Sequence, residues 1–286
     1  MKREHELRDR LRSLEALGAA VTAMKSLSAH HFREARAGLE PARRYRDGID
    51  RVVAQIGASL PAGDGPGGLL VVGSELGLCG AYNAHLVAVA AQRRAELGRG
   101  PTLCVGRRAA TYLARRDVGV DRTYAAPASV QGITDVLLHL TEDMLSAYVT
   151  TRLSCFEVVS SRFEGVGVDR PTITRLLPFG AARVGVTAAA RYAGRETFLA
   201  VAVRELLYIT MYSVLLEALA SEHGARLVAT QSAAGWLDER AERLRRQLAS
   251  TRREASTQEA IEIAGGARAR SRMARTASVE VRKRGA

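Results

Sequence analysis

The sequence predicts an α/β protein: an antiparallel coiled coil of the N- and C-terminal helices plus an inserted Rossmann-like domain with a mostly parallel sheet. Three observations carry this expectation. The seven prolines are Pro41, Pro61, Pro66, Pro101, Pro127, Pro171 and Pro178, which leaves the first 40 residues and the last 108 of the 286-residue chain without one. Proline removes a backbone donor and clashes with the preceding turn, so proline-free runs permit long helices. Both of these ends carry apolar or small residues at alternating steps of three and four, the stripe of a helix packed along a partner helix. The stretch between them alternates short apolar runs with helical periods, which implies strands and helices in turn and a mostly parallel sheet.

The first element is a helix over residues 1–58. Its stripe is Leu7, Leu11, Leu14, Gly18 and Val21, with Arg3, Glu6, Arg8, Arg10, Arg12 and Glu15 on the other faces. Pro41 is expected to kink or interrupt it, and Ile49, Val52, Val53 and Ile56 resume the pattern before the breaker SLPAGDGPGG. The α/β domain follows over 68–178. Gly68–Gly73 reads as a short buried strand, Tyr82–Leu97 as a helix, Pro101–Val105 as a strand and Arg107–Arg116 as a short helix. Thr134–Val149 is an amphipathic helix with Thr134 as its N-cap, because a hydroxyl there can accept from a free helix N–H. Leu153–Phe163 and Thr172–Leu177 read as strands.

The closing helix is expected over 195–264. Roughly 70 residues at 1.5 Å each would span about 105 Å, too long to lie inside a domain of this size, so it must project. Its stripe is Leu237, Ala241, Leu244, Leu248, Thr251 and Ala255. Gly224 and Gly235 each weaken the helix by about 1 kcal/mol relative to Ala without ending it. Residues 265–286 form a basic tail, expected to be flexible.

The chain has 42 Lys+Arg against 30 Asp+Glu, a net charge of +12, and all but three of the basic residues are Arg. A basic balance suggests nucleic acid or an anionic membrane surface as a partner. Its location argues otherwise. The tail, with 7 basic and 1 acidic residue, holds half of the excess, whereas residues 204–264 hold 8 and 9 and are nearly neutral. The tail lacks interleaved aromatics, so base stacking is unsupported. The highly charged start MKREHELRDR has no apolar core of a secretory signal. The apolar run Leu206–Leu216 is half the length a membrane helix requires. Cys79, Cys104 and Cys155 form no C-x-x-C pair, which points away from a disulfide framework or a zinc finger.

The loop GSELGLCG, Gly73–Gly80, lies between a strand and a helix, where phosphate-binding loops sit. It lacks the Gly-Lys-Ser/Thr of a P-loop and the G-x-G-x-x-G of a dinucleotide loop, so it reads as a tight turn. Cys79 has no His or Asn placed by sequence to activate it and reads as a small buried residue; an α/β enzyme using its thiol ranks last among the functions considered. His30 and His31 point about 100° apart on a helix, which makes sharing one ion difficult, and read as solvated residues. No catalytic residue, metal ligand set or cofactor is expected.

Several stretches, taken in order, resemble a known family. They are LRDRLRSLEALGAAVTAMKSLSAHHFREAR with Ala23-Met24 at its centre; LLVVGSELGLCGAYNAHL with its Gly77-Leu78-Cys79-Gly80 turn; CFEVVSSRFEGVGVDRPTITRLLPF; LEALASEHGARLVATQSA; and TRREASTQEAIEIAGGA. Together they span residues 7–267 and resemble the gamma subunit of rotary F-type ATP synthase. The resemblance implies a central rotor shaft. Its terminal helices would form a coiled coil inside a hexamer of alternating alpha and beta subunits, and its mixed domain would be a foot bound to the epsilon subunit and the c-ring of the membrane sector. Ion-driven rotation of the ring would turn the shaft and drive the catalytic beta subunits through different conformations, so ATP chemistry would occur on beta.

By position, the resemblance assigns contact with beta to Met24, Lys25, Arg252, Arg253, Thr257 and Gln258, and the foot motif to Gly77, Leu78, Cys79 and Gly80. It implies no cofactor, no nucleic-acid partner, and a peripheral place on the cytoplasmic face of the bacterial plasma membrane. Four features depart from the family pattern. Arg253 stands where Gln is usual, and Thr22 stands where a Lys usually precedes Ala-Met. His30-His31-Phe32 replaces a small-and-basic stretch, and the basic tail extends past the usual end near Ala267. The alternative from the residues alone is a basic coiled-coil protein binding nucleic acid or anionic membrane.

Overall fold

The computed structural model describes residues 2–56, 60–179 and 195–284. Along the chain these form α1 (Lys2–Ile56), β1 (Gly65–Val72), α2 (Tyr82–Leu97), β2 (Thr102–Val105), α3 (Arg107–Ala114), β3 (Arg122–Tyr124), α4 (Ile133–Thr150), β4 (Leu153–Phe163), β5 (Asp169–Leu177) and α5 (Arg195–Arg284). They divide into two compact units, one of Met1–Thr22 with Ala233–Ala286 and one of Ala23–Ser232.

The larger unit is built on a five-stranded sheet of order β3-β2-β1-β4-β5. β1 pairs in parallel with β2 and β4, β2 pairs in parallel with β3, and β5 closes the edge antiparallel to β4. Successive strand residues point to opposite faces, and the sheet's apolar runs are sorted that way. Leu70, Val72, Leu103, Val105, Phe156 and Val158 face α4 and the segments of α1 and α5 in this unit, forming one core with Leu137, Leu140, Met144, Leu207, Met211 and Leu215. Leu69, Val71, Cys104 and Val159 face the other way, onto Leu86, Val87 and Ala90 of α2 and Ala109 and Leu113 of α3. Both faces are covered, as a parallel sheet requires.

Several expectations from sequence are corrected. Pro41 lies inside α1 and does not interrupt it, since the helix continues to Ile56. A proline within a helix costs about 3 kcal/mol or more, and here its neighbours Ala35, Leu39 and Ala42 are buried in the main core, which offsets that loss. α4 is not capped by Thr134. Its N-cap is Gly132, without a side-chain bond, because the preceding Ile133 is wholly buried and draws the first turn back onto the core. β3 has only three residues, too short to register as a period. α5 passes Ala264 without a break and continues to Arg284. Gly265 and Gly266 weaken it there by about 1 kcal/mol each, but no proline follows to stop it.

The smaller unit is a pair of helical segments. The stripe expected along α1 is the less exposed line: Leu7, Leu11, Leu14 and Gly18 are half-buried and Val21 is buried, while Arg10, Arg12 and Glu15 are exposed. On α5, Leu237, Ala241, Leu244 and Leu248 are buried, Thr251 is half-buried and Ala255 is exposed. Two ion pairs set the direction. Arg245 donates to Glu15 at 2.8 Å and Arg252 donates to Glu4 at 2.9 Å. Later positions on α5 meet earlier positions on α1, so the segments run antiparallel.

Candidate functional site

In the larger unit the Gly73–Gly80 turn leads from β1 toward α2, and a closed hydrogen-bond set fixes its shape. Asn83 Oδ1 accepts from the Ser74 backbone N–H at 3.1 Å, and Asn83 Nδ2 donates to Ser74 Oγ at 2.6 Å. Ser74 Oγ then donates to the Leu76 carbonyl at 2.8 Å. Gly73 is required by close approach, since a Cβ there would lie 2.4 Å from the Ala109 Cβ. Leu78 and Gly80 both adopt left-handed backbone, φ 60° and 59°. Only glycine does so without a steric penalty, which for Leu78 is about 1–2 kcal/mol. At Gly77 nothing would meet an added Cβ.

Arg226 of α5 holds the turn from outside. Its Nε donates to the Gly77 carbonyl at 3.2 Å and its Nη2 donates to the Leu76 carbonyl at 3.4 Å. Nη2 also bonds Glu222, and Nη1 donates to His223 Nδ1 at 3.3 Å. Glu222, His223 and Arg226 are all buried. Burial pushes the Glu222 carboxyl up from its ordinary range, and Arg226 beside it acts in the opposite sense. Burial, with the positive charge of Arg226 and then His31, drives His223 down to about 4, the backbone at Ala128 opposing weakly. His223 is therefore neutral at pH 7. Sequence reasoning missed these three side chains. The available signal was a charged pair four residues apart inside an otherwise apolar helix, LLEALASEHGARLVA, which places both charges on one face.

Cys79 is buried beside Ser74 and Asn83, with Asn83 Nδ2 3.5 Å from its sulfur. Burial raises its thiol above the ordinary value, the Ser74 contact opposing. A protonated thiol is a poor nucleophile, so the arrangement serves packing rather than covalent catalysis. The neighbouring helix start, a natural anion site, is filled by the chain itself. Glu75 accepts from the Arg107 N–H that opens α3 at 3.1 Å and from the Ala126 N–H at 3.0 Å.

His30 is exposed, as expected from sequence, but His31 is not fully solvated: its side chain is 16% exposed and its ring lies 5.2 Å from that of His223. Met24 and Lys25 are half-buried.

In the smaller unit Arg252, Arg253, Thr257 and Gln258 are exposed. Arg252 is committed to Glu4, which Arg8 also bonds at 2.7 Å. The Arg252 hydrogen bond, with Arg8 assisting, holds the Glu4 carboxyl below its usual range. Arg253 Nε donates to the Ala249 carbonyl at 3.3 Å, Thr257 Oγ1 to the Arg253 carbonyl at 2.9 Å, and Gln258 Nε2 to Glu262 at 3.0 Å. From Arg252 through Arg270, every described side chain is exposed, including Ile261 and Ile263. No described helix is long and apolar enough to cross a membrane.

Comparison with known proteins places the chain. A family model described as ATP synthase matches residues 3–269. An ATP synthase gamma chain of Moorella thermoacetica is 28% identical over 283 residues, covering 93% of this chain and 99% of its own. One from Granulibacter bethesdensis is 30% identical over 298 residues, covering 92% and 98%. Among solved structures, the fold is similar to a chain of the Euglena gracilis mitochondrial ATP synthase (OSCP/F1/c-ring, rotational state 3), with TM-score 0.66, 17% identity and 94% of both chains covered. It is also similar to a chain of the Tetrahymena thermophila mitochondrial ATP synthase central stalk and c-ring, with TM-score 0.56, 16% identity and coverage of 75% of this chain and 99% of that one. The antiparallel helix pair, the mostly parallel sheet and a match running through nearly the whole sequence lead to one conclusion: the chain belongs to the ATP synthase gamma-chain family.

Proposed function

We propose that this chain is the central rotor shaft of an F-type ATP synthase, coupling ion-driven rotation to ATP synthesis or hydrolysis on neighbouring subunits. It is a stalk subunit without a catalytic site of its own. The observation that best supports this reading is the antiparallel helix pair, with an α5 surface left exposed from Arg252 onward. An exposed helix carrying Ile261 and Ile263 has apolar surface to offer a partner. A shaft acts by making different contacts with different states of its neighbours, and such differential contact is what shifts a conformational equilibrium.

The finer assignments are also proposals. The alpha and beta subunits surround the helix pair, and Met24, Lys25, Arg252, Arg253, Thr257 and Gln258 touch beta. The larger unit, with its Gly77-Leu78-Cys79-Gly80 turn, serves as the foot that meets the epsilon subunit and the c-ring. The complex sits peripherally on the cytoplasmic face of the bacterial plasma membrane. Arg253 keeps its Nε on its own helix backbone, leaving the rest of its guanidinium for a partner where Gln is usual. The nucleic-acid alternative gains nothing from the family match.

The deciding experiment is reconstitution of the full chain with the alpha and beta subunits, followed by ATPase and single-molecule rotation assays. A stable complex whose ATPase depends on the chain is expected. Combined alanine substitution of Arg252, Thr257 and Gln258 should lower turnover while assembly persists. Failure to associate at micromolar concentration would overturn the rotor reading, and unaltered turnover in the triple variant would overturn the residue assignment.

A further inference from the structure

A second cluster, on α1, carries no assigned role in the rotor reading. His30, His31 and Glu34 sit on α1 within the larger unit. Their side-chain donor atoms all lie within 4.8 Å of one another. His31 Nδ1 is 3.3 Å from Glu34 Oε2, and His30 Nε2 is 3.6 Å from Glu34 Oε1. Tetrahedral coordination at zinc distances of 2.0–2.1 Å places neighbouring ligand atoms about 3.3–3.4 Å apart. The His31–Glu34 contact matches that length and the His30–Glu34 contact is slightly longer; the two end on different carboxylate oxygens, so the carboxylate either spans an ion with both oxygens or turns to offer one. The third, between the two imidazole nitrogens, lies within 4.8 Å and shortens to that length by rotation of the exposed His30 side chain.

The separation of adjacent helix positions, about 100°, argued from sequence against a shared ion. The structure removes that objection. Glu34 follows His31 by three residues and His30 by four, so one carboxylate reaches both arms, and the imidazole rings converge to 5.3 Å between centroids. The set is also held in place on one side. The His31 ring packs against the buried His223 ring at 5.2 Å, and His223 is itself bonded by Arg226. A ligand whose orientation is fixed by packing loses less freedom on binding than a free surface side chain. His30, by contrast, is exposed, which gives an ion access from solvent.

We propose that His30, His31 and Glu34 form a binding site for one divalent transition-metal ion of the zinc class, with water completing its coordination. Two imidazoles and one carboxylate suit zinc and its neighbours rather than magnesium or calcium, which favour all-oxygen shells. Binding to the folded chain alone would also stabilise it by mass action.

The test uses the untagged full-length chain, stripped with chelator and titrated with Zn²⁺ by calorimetry, with Co²⁺ absorption as a second readout. One ion per chain at micromolar affinity or better is expected, with the intense visible bands of low-coordinate cobalt. His30→Ala and Glu34→Gln should each weaken binding about tenfold or more, while His85→Ala leaves it unchanged. His30 is exposed, so its replacement leaves the fold intact, which circular dichroism checks. The proposal is overturned by absence of saturable Zn²⁺ binding. It is equally overturned by unchanged affinity in the His30→Ala, Glu34→Gln double variant, or by binding that thiol blockade abolishes and these substitutions do not.

Discussion

The two units bury their side chains in different ways. Among the described residues, every large side chain that is fully buried, from Leu69 and Phe156 in the sheet to Leu137 and Met144 in α4, belongs to the larger unit. The helix pair has a line of partial burial instead. Val21, Leu237, Ala241, Leu244 and Leu248 each keep 6–8% of their surface, and the residues around them are open. A closed core excludes water on all sides and rewards burial at about 25 cal/mol per Å² of apolar area. A two-helix seam has water on both flanks and gains less for each residue. The larger unit can therefore house a buried ion pair, Glu222–Arg226, whereas the pair keeps its ionic contacts, Arg245–Glu15 and Arg252–Glu4, near the surface.

The sharpest way to break this comparison is to remove one half of the buried pair. Arg226→Met leaves Glu222 buried without its cation and frees the Leu76 and Gly77 carbonyls. Breaking a buried pair costs about 3–5 kcal/mol, which urea unfolding of the full chain should show as a large fall in midpoint. A loss under 1 kcal/mol would mean that the cluster is wetter than its burial indicates.

A pH series gives the next largest effect. His223 has a folded value of about 4, below the ordinary value near 6.5. The unfolded chain thus binds the proton more readily, and the stability present above pH 6.5 is lost as pH falls toward 4. A shift of this size corresponds to about 3 kcal/mol. Burial is the largest cause of the shift, and Arg226 and then His31, both beside this ring, add to it. His223→Phe should flatten the decline between pH 6.5 and 5 in urea unfolding measured across that range, and an unchanged slope would locate the titration elsewhere.

The helix pair should respond more weakly. Leu244→Ala is expected to cost about 2 kcal/mol, the low end for buried leucine, because water flanks the seam. Smaller still is Arg245→Ala, which removes an exposed ion pair worth under about 1 kcal/mol. If thermal melts reverse the order of these two, charge rather than burial holds the segments together.

Much of this architecture was legible before any coordinates. The stripe from Leu7 to Val21 and its counterpart from Leu237 to Leu248 are written as spacings, and spacing maps directly onto a helix face. The strands β1, β2 and β4 announce themselves as short apolar runs between glycines and helices. The sequence by itself therefore determined most of the elements, the apolar faces of the long helices, the order and, through the resemblance in its motifs, the family.

What tertiary structure alone decided concerns contacts between distant positions. Pro41 is tolerated because a core assembled from other elements holds its neighbours. Arg226 reaches the Gly77 carbonyl across 149 positions of sequence, and no local period encodes that meeting. His31 was read as solvated because nothing nearby in sequence covers it; His223, on a helix far along the chain, does. Periodicity records which face of an element avoids water. It does not record which polar groups share the dry side once the faces close, and that choice fixes the Arg226 cluster and the orientation of His31.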